Sequence, residues 1–260
     1  MIHLSAPDLA IASSLVLMLA LLSWRMHLGL QQQLLIAGLR TVIQLVLVGL
    51  VLKALFEQLH PLWLIPVSML MLLAAGREVI ARQSKRLAGG YVVGTGAMFI
   101  SSFAITVLAL LVVVQPAPWY QPQYAIPLLG MMLGNTMTGI AVGMERLLKT
   151  THDEKDVIEQ RLMLGHTPAE AIRSPMRDAA RAGMIPIINA MAAAGIVSLP
   201  GMMTGQILAG SPPMEAVKYQ ILIMFMISAG TGFGTLIALR LTANRLFDEA
   251  ARLRLDRLTS

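Results

Sequence analysis

The chain has 260 residues, of which 56% are hydrophobic and only 13% charged. A soluble domain carries about 25% charged residues, so this composition, with a mean hydropathy of +0.70, excludes an ordinary water-soluble globule and fits a chain solvated by lipid. The absence of cysteine excludes disulfides, thiol nucleophiles and thiolate metal sites, and the net charge of +6 is no nucleic-acid signal because it follows the loops.

Seven apolar stretches follow in chain order, roughly residues 9–23, 34–56, 62–76, 91–114, 125–143, 184–210 and 216–239. Each spanning helix needs about 20 apolar residues. The first stretch lacks a basic start, has Asp8 ahead of it and is followed by Trp24 and Arg25. It reads as a retained anchor rather than a cleaved signal. The third is short and is expected to extend through Arg77 and Glu78, whose side chains reach the interface. Seventeen of the 20 Lys and Arg residues fall after stretches one, three, five and seven. The excess of basic residues on cytoplasmic loops then places the N-terminus outside and the C-terminus in the cytoplasm. The uncharged loop 115–124, with its prolines and aromatics, suits the outer interface. The predicted fold is all-α: one polytopic transmembrane helix bundle over residues 1–260, with about seven spans.

Within the second stretch, Arg40 lies about six residues, so about 9 Å, into the span, and Gln44 follows one turn later on the same face. Arg40 either snorkels to the cytoplasmic interface or faces an aqueous cavity or a backbone carbonyl. The fifth stretch carries Gly130 with Gly134 and Gly139 with Gly143, spacings that let helices approach closely. Asn135, Thr136 and Thr138 among them either bond between helices or line a path. In the sixth stretch Pro200-Gly201 is expected to break the helix in mid-membrane, which is tolerated only where the freed backbone is buried in protein or lines a cavity. With Asn189, Ser198, Thr204 and Gln206 nearby, the break reads as part of a substrate path rather than a simple kink. The candidate path residues are Arg40, Gln44, Asn135, Thr138, Asn189, Pro200, Gly201, Met202, Met203 and Gln206. The 19 methionines include Met131-Met132, Met202-Met203 and the pair Met224 and Met226. Thioethers bind soft metals but are also ordinary packing groups; without cysteine or intramembrane histidine, packing is the favoured reading. The spans carry no carboxylate for a hard ion, so the residues identify no metal.

The one large polar segment, 144–182, is placed on the cytoplasmic side. It reads as a helix, a break at Gly165 and Thr167-Pro168, and a second helical piece with Pro175 early in it. That is a docking shape rather than a catalytic domain. A plain connector is the alternative, although connections longer than about 12–15 residues are usually functional.

Several chemistries are missing. None of the 14 acidic residues falls in the middle of a span, and His3, His27, His60, His152 and His166 sit in loops or at ends. This argues against a proton-driven carrier, while a sodium-coupled carrier survives. The nearest approach to a phosphate-binding loop, Gly143 to Lys149-Thr150, has Leu148 where a glycine is required. No zinc-protease motif occurs, and no span holds a histidine to activate a serine. The chain is therefore expected to be no enzyme and to bind no cofactor, with ATP-Mg held by a separate ATPase docked on the cytoplasmic segment.

The stretches RTVIQLVLVG from Arg40, GNTMTG from Gly134, EQRLMLGHTPAEA from Glu159, VSLPGMMTGQILAG from Val197 and SPPMEAVKYQI from Ser211 resemble the FetB-type permeases. These are membrane subunits of bacterial iron-export ABC transporters, related to plant aluminium-tolerance permeases. The resemblance covers nearly the whole chain. It implies a permease of the bacterial inner membrane, a homodimer paired with ATP-binding subunits, that exports iron or a related metal species. Glu159, six residues before Gly165, resembles the glutamate and glycine of the loop by which ABC permeases dock on their ATPase. The usual Ile-x-Leu-Pro downstream is not at its place. By this resemblance Glu159, Leu162, Gly165, Thr167, Pro168 and Ala171 belong to the coupling segment. The rival readings are an autonomous channel or ion-coupled carrier, and a non-transporting membrane scaffold.

Overall fold

Among the residues described in the computed structural model, 5–57 and 61–259, six helices are long and apolar enough to cross a membrane. His3 and His60 lie outside the described residues. The chain is a multi-pass helical membrane protein that divides into two units, Met1–His60 and Pro61–Ser260.

In the first unit, α1 (Ala6–Arg25) and α2 (Gln31–Glu57) pack side by side. The intervening turn is made by His27 and Gly29, both with positive φ. The close approach runs through Gly38 of α2, which faces Val16 of α1. The apolar side chains of both helices are mostly exposed within this unit, as expected of helices that lipid surrounds.

The second unit contains α3 (Pro61–Ala81), α4 (Gly90–Val114), α5 (Pro122–Asp153), α6 (Lys155–Met163) and α7 (Pro168–Ala171). It continues with α8 (Arg173–Ala193), α9 (Gly201–Leu208) and α10 (Pro213–Leu246). As expected, α3 extends beyond Glu78. Prolines open α5 and α10, where the first amide of a helix needs no partner. In α4 the ladder widens into π-helix over Phe99–Phe103 and Ala109–Val114.

The centre of this unit is α5, packed against α3, α8 and α10. Its close contact with α8 and α10 is set by small residues. A Cβ on Gly139 would stand 2.6 Å from the Thr231 methyl, and one on Gly183 of α8 would stand 2.6 Å from the carbonyl oxygen of Gly139. The predicted packing role of Gly139 and Gly143 is thus observed, with Gly183 as the partner. Gly134 is different: nothing lies within 4 Å of where its Cβ would be.

The sixth apolar stretch is not one helix. The second cytoplasmic piece and the first half of the sixth predicted span are a single helix, α8. Pro175 sits in its first turn, where a missing N–H costs nothing. The helix stops at Ala193, well before Pro200. Gly195 takes φ +83°, and its N–H donates to the Ser198 carbonyl at 2.9 Å. Pro200 then caps the short α9. The predicted break is present, and it is a seven-residue irregular segment over 194–200 rather than a hinge at one dipeptide.

On the polar side, Leu87, Leu147, Leu148, Ile158, Ile172, Leu246 and Phe247 form a separate core. The tail closes it. Leu258–Thr259 pairs antiparallel with Arg86–Leu87, and Arg257 Nη1 donates to the Arg245 carbonyl at 2.7 Å.

Candidate functional site

Two places carry the predicted residues: the broken span and the polar platform. Arg40 and Gln44 belong to the first unit, one turn apart on the exposed surface of α2. The other path residues belong to the second unit.

On α5, Asn135 and Thr138 turn back on their own helix. Asn135 Nδ2 donates to the Met131 carbonyl at 2.8 Å, and Thr138 Oγ1 donates to the Gly134 carbonyl at 3.1 Å. Asn135 is exposed beside Gly134, and Asn189 is exposed on α8. Thr136, by contrast, is fully buried, and its hydroxyl has no hydrogen-bond partner among the described residues.

Around α9 the break opens two cavities. One of about 580 Å³ is lined by Met191, Pro200, Met203, Gln220 and Met224. Another of about 440 Å³ is lined by Met131, Met202, Gln206, Tyr219 and Tyr124. Met203 therefore faces one cavity, while Met202 and Gln206, one turn apart, face the other. The side-chain amide oxygens of Gln206 and Gln220 are both buried and have no hydrogen-bond partner among the described residues. The methionine pairs are split: Met132 and Met226 pack in the core, while Met131 and Met224 line the cavities. Among the described residues no group of three or more His, Cys, Asp or Glu side chains is placed to hold a metal ion.

The platform is α6, the turn 164–167 and α7. Glu159 is half-exposed and pairs with Lys155 at 3.8 Å. Leu162 packs on the polar-side core, and Ala171 is fully buried in it. Gly165 has φ +87° with open space around it, a conformation that costs other residues roughly 1–2 kcal/mol. Thr167 caps α7: its hydroxyl accepts from the Glu170 N–H, and the Thr167 N–H donates to the Glu170 carboxylate at 2.8 Å. That backbone bond, then the Thr167 hydroxyl bond, holds the Glu170 carboxyl below the usual carboxylate range. Arg161 Nη1 donates to the Ala171 carbonyl at 3.1 Å, locking α6 to α7. Sequence reasoning missed the tip of this unit. Met163 and Leu164 are 79% and 80% exposed, side by side just before the glycine turn. A groove of about 650 Å³ runs beside α7, lined by Glu170, Arg173, Arg240 and Asn244.

Comparison with known proteins decides the family. The model of the uncharacterised protein family UPF0014 matches residues 6–247. The chain belongs to the UPF0014 family. It is 42% identical to the UPF0014 membrane protein slr1647 of Synechocystis over 90% of each chain. It is 34% identical to the probable iron export permease protein FetB of Escherichia coli, over 96% of this chain and 95% of that one. A plant member, the UPF0014 membrane protein STAR2 of rice, is 31% identical over 93% of this chain and 84% of its own. The resemblance to FetB-type permeases read from the sequence is thereby established. No solved structure matches the chain.

Proposed function

We propose that this UPF0014 member is the permease subunit of an ABC transporter of the bacterial inner membrane. In this reading it works as a homodimer and moves a metal species outward, with iron the first candidate. The chain holds no nucleotide, and a separate ATP-Mg-binding subunit drives it. The observation that carries this reading is the platform: two exposed apolar side chains, Met163 and Leu164, presented on a turn held by a capping box and by Arg161. Exposed apolar residues on the polar side of a membrane protein mark a protein contact. Here they stand on a mount joined to α5, α8 and α10 through one core. A partner that moves the tip moves those three helices, and α8 leads directly to the broken span. The likeness to the probable iron export permease of Escherichia coli supports the direction and the cargo.

The test is purification in mild detergent from native membranes, with ATP hydrolysis measured on the eluate. The expected result is a stoichiometric nucleotide-binding subunit that is released by the double change M163D/L164D. Loss of one interface anchor costs about 1–4 kcal/mol, so the pair is expected to weaken capture at least about tenfold. Because both residues are exposed, the variant is expected to stay folded. Metal flux in vesicles from the purified chain alone would replace this reading with the channel or ion-coupled carrier. Partner capture without flux would leave a scaffold.

A further inference from the structure

The larger cavity at the break has a distinctive donor set. Met191 comes from α8, Met203 from α9, and Met224 from α10, so three separate helices each contribute a methionine to the lining of one space of about 580 Å³. Gln220 lies one turn before Met224 on the same face of α10. It is only 7% exposed, and its side-chain amide oxygen is buried with no hydrogen-bond partner among the described residues. A buried amide oxygen left unpaired is costly, the more so in the membrane interior. These methionines also differ from Met98, Met132 and Met144, which are fully buried in continuous packing.

Thioethers are neutral, soft and polarisable, and they select soft ions such as Cu(I). No carboxylate, histidine or other charged side chain lines the cavity. A divalent ion there would keep its full double charge, and its desolvation cost is about four times that of a monovalent ion, because Born energy grows as the square of the charge. Softness and charge therefore select the same class of ligand. Methionine side chains, with three rotatable bonds, adapt their reach to such an ion.

We propose that this cavity binds a soft monovalent metal ion, Cu(I) or Ag(I), through Met191, Met203 and Met224, with the Gln220 carbonyl oxygen as a fourth, weaker donor. The site does not depend on the transport reading, because equilibrium binding detects it without an ATPase or a membrane gradient.

The experiment titrates Cu(I) into the full-length chain in detergent, under reducing anaerobic conditions, against the chromogenic chelator bathocuproine disulfonate. One high-affinity Cu(I) per chain is expected. In the triple variant M191L/M203L/M224L, which nearly conserves volume, affinity is expected to fall by roughly 10–100-fold or more. In the control M131L/M202L, which alters the neighbouring cavity, it is expected to hold. Thioethers release no proton on binding, unlike imidazole or carboxylate, so the affinity is expected to be equal at mildly acidic and neutral pH. X-ray absorption on the Cu(I)-loaded native chain keeps the test independent of the variant's folding. Sulfur scatterers are expected, and in a chain without cysteine only methionine supplies them. An absorption spectrum of nitrogen and oxygen neighbours alone, undiminished affinity in the triple variant, or no Cu(I) binding at all would overturn the proposal.

Discussion

At the scale of single residues, the tightest approach of a glycine to backbone among the described residues is the contact between Gly139 on α5 and Gly183 on α8. A side chain at Gly183 meets backbone, the Gly139 carbonyl at 2.6 Å, and also the Thr235 methyl at 2.8 Å. Backbone cannot rotate away as the end of a methionine can, so Gly183→Val must push α8 off α5. Overpacking of this kind costs about 1–3 kcal/mol. The expected outcome is a lower unfolding temperature in detergent, read by thermal-shift fluorescence. Gly134→Ala, made in open space, is expected to leave that temperature unchanged. Equal losses in both variants would show that the glycines act through backbone freedom rather than contact. Gly139 and Gly143 were legible in the sequence because their four-residue spacing is itself the signal. Gly183 was not, because it directly follows the arginine-bearing piece read as a cytoplasmic docking helix, one residue ahead of the sixth apolar stretch. Met163 and Leu164 were hidden for a related reason. In the sequence they are two more apolar positions of an amphipathic helix, and only the turn at Gly165 makes them project.

At the scale of elements, the broken span and the platform were both announced by proline and glycine. What the sequence left open was extent. A dipeptide break became a seven-residue segment because Gly195, at φ +83°, already ends α8. The π-helical stretches of α4 left no trace in composition, since they change hydrogen-bond register and not residue type. The platform also carries a pH dependence of known sign. The Glu170 carboxyl is held low by the Thr167 N–H and hydroxyl; in the tail, outside the platform, Asp256 is likewise held low by the Arg254 guanidinium. A depressed carboxyl contributes stability that is complete above its unfolded value and is lost as pH falls through its folded value. The platform is therefore expected to be fully formed at neutral pH and to loosen only below the ordinary carboxylate range. Hydrogen exchange of the amides of residues 167 and 169–171 reads this directly. Glu170→Gln is expected to raise exchange at neutral pH and to remove its acid dependence. An acid dependence that survives in that variant would assign it elsewhere.

At the scale of the whole molecule, helix length decides what connects to what. The 32 residues of α5 and the 34 of α10 extend about 48 and 51 Å at 1.5 Å per residue, well beyond a hydrocarbon core of about 30 Å. Both must emerge, and their charged ends, Glu145 to Asp153 and Arg240 to Arg245, enter the polar-side core with α8. The basic residues cluster at these ends, so the charge rule predicts that the platform and the tail are cytoplasmic. It predicts that the turn before α5 and the start of α10 lie outside. The chain's lack of cysteine makes this testable one position at a time. Trp119→Cys and Met214→Cys, both at exposed positions, are expected to react with a membrane-impermeant maleimide on intact spheroplasts. Gln160→Cys on α6 and Glu249→Cys in the tail, also exposed, are expected to react only after permeabilisation. The reverse pattern would put Met163 and Leu164 outside the cell, where no ATP-driven subunit could reach them. The proposed energy source would then fail together with the topology, whereas the Cu(I) site, which binds in detergent without reference to either side, would be untouched.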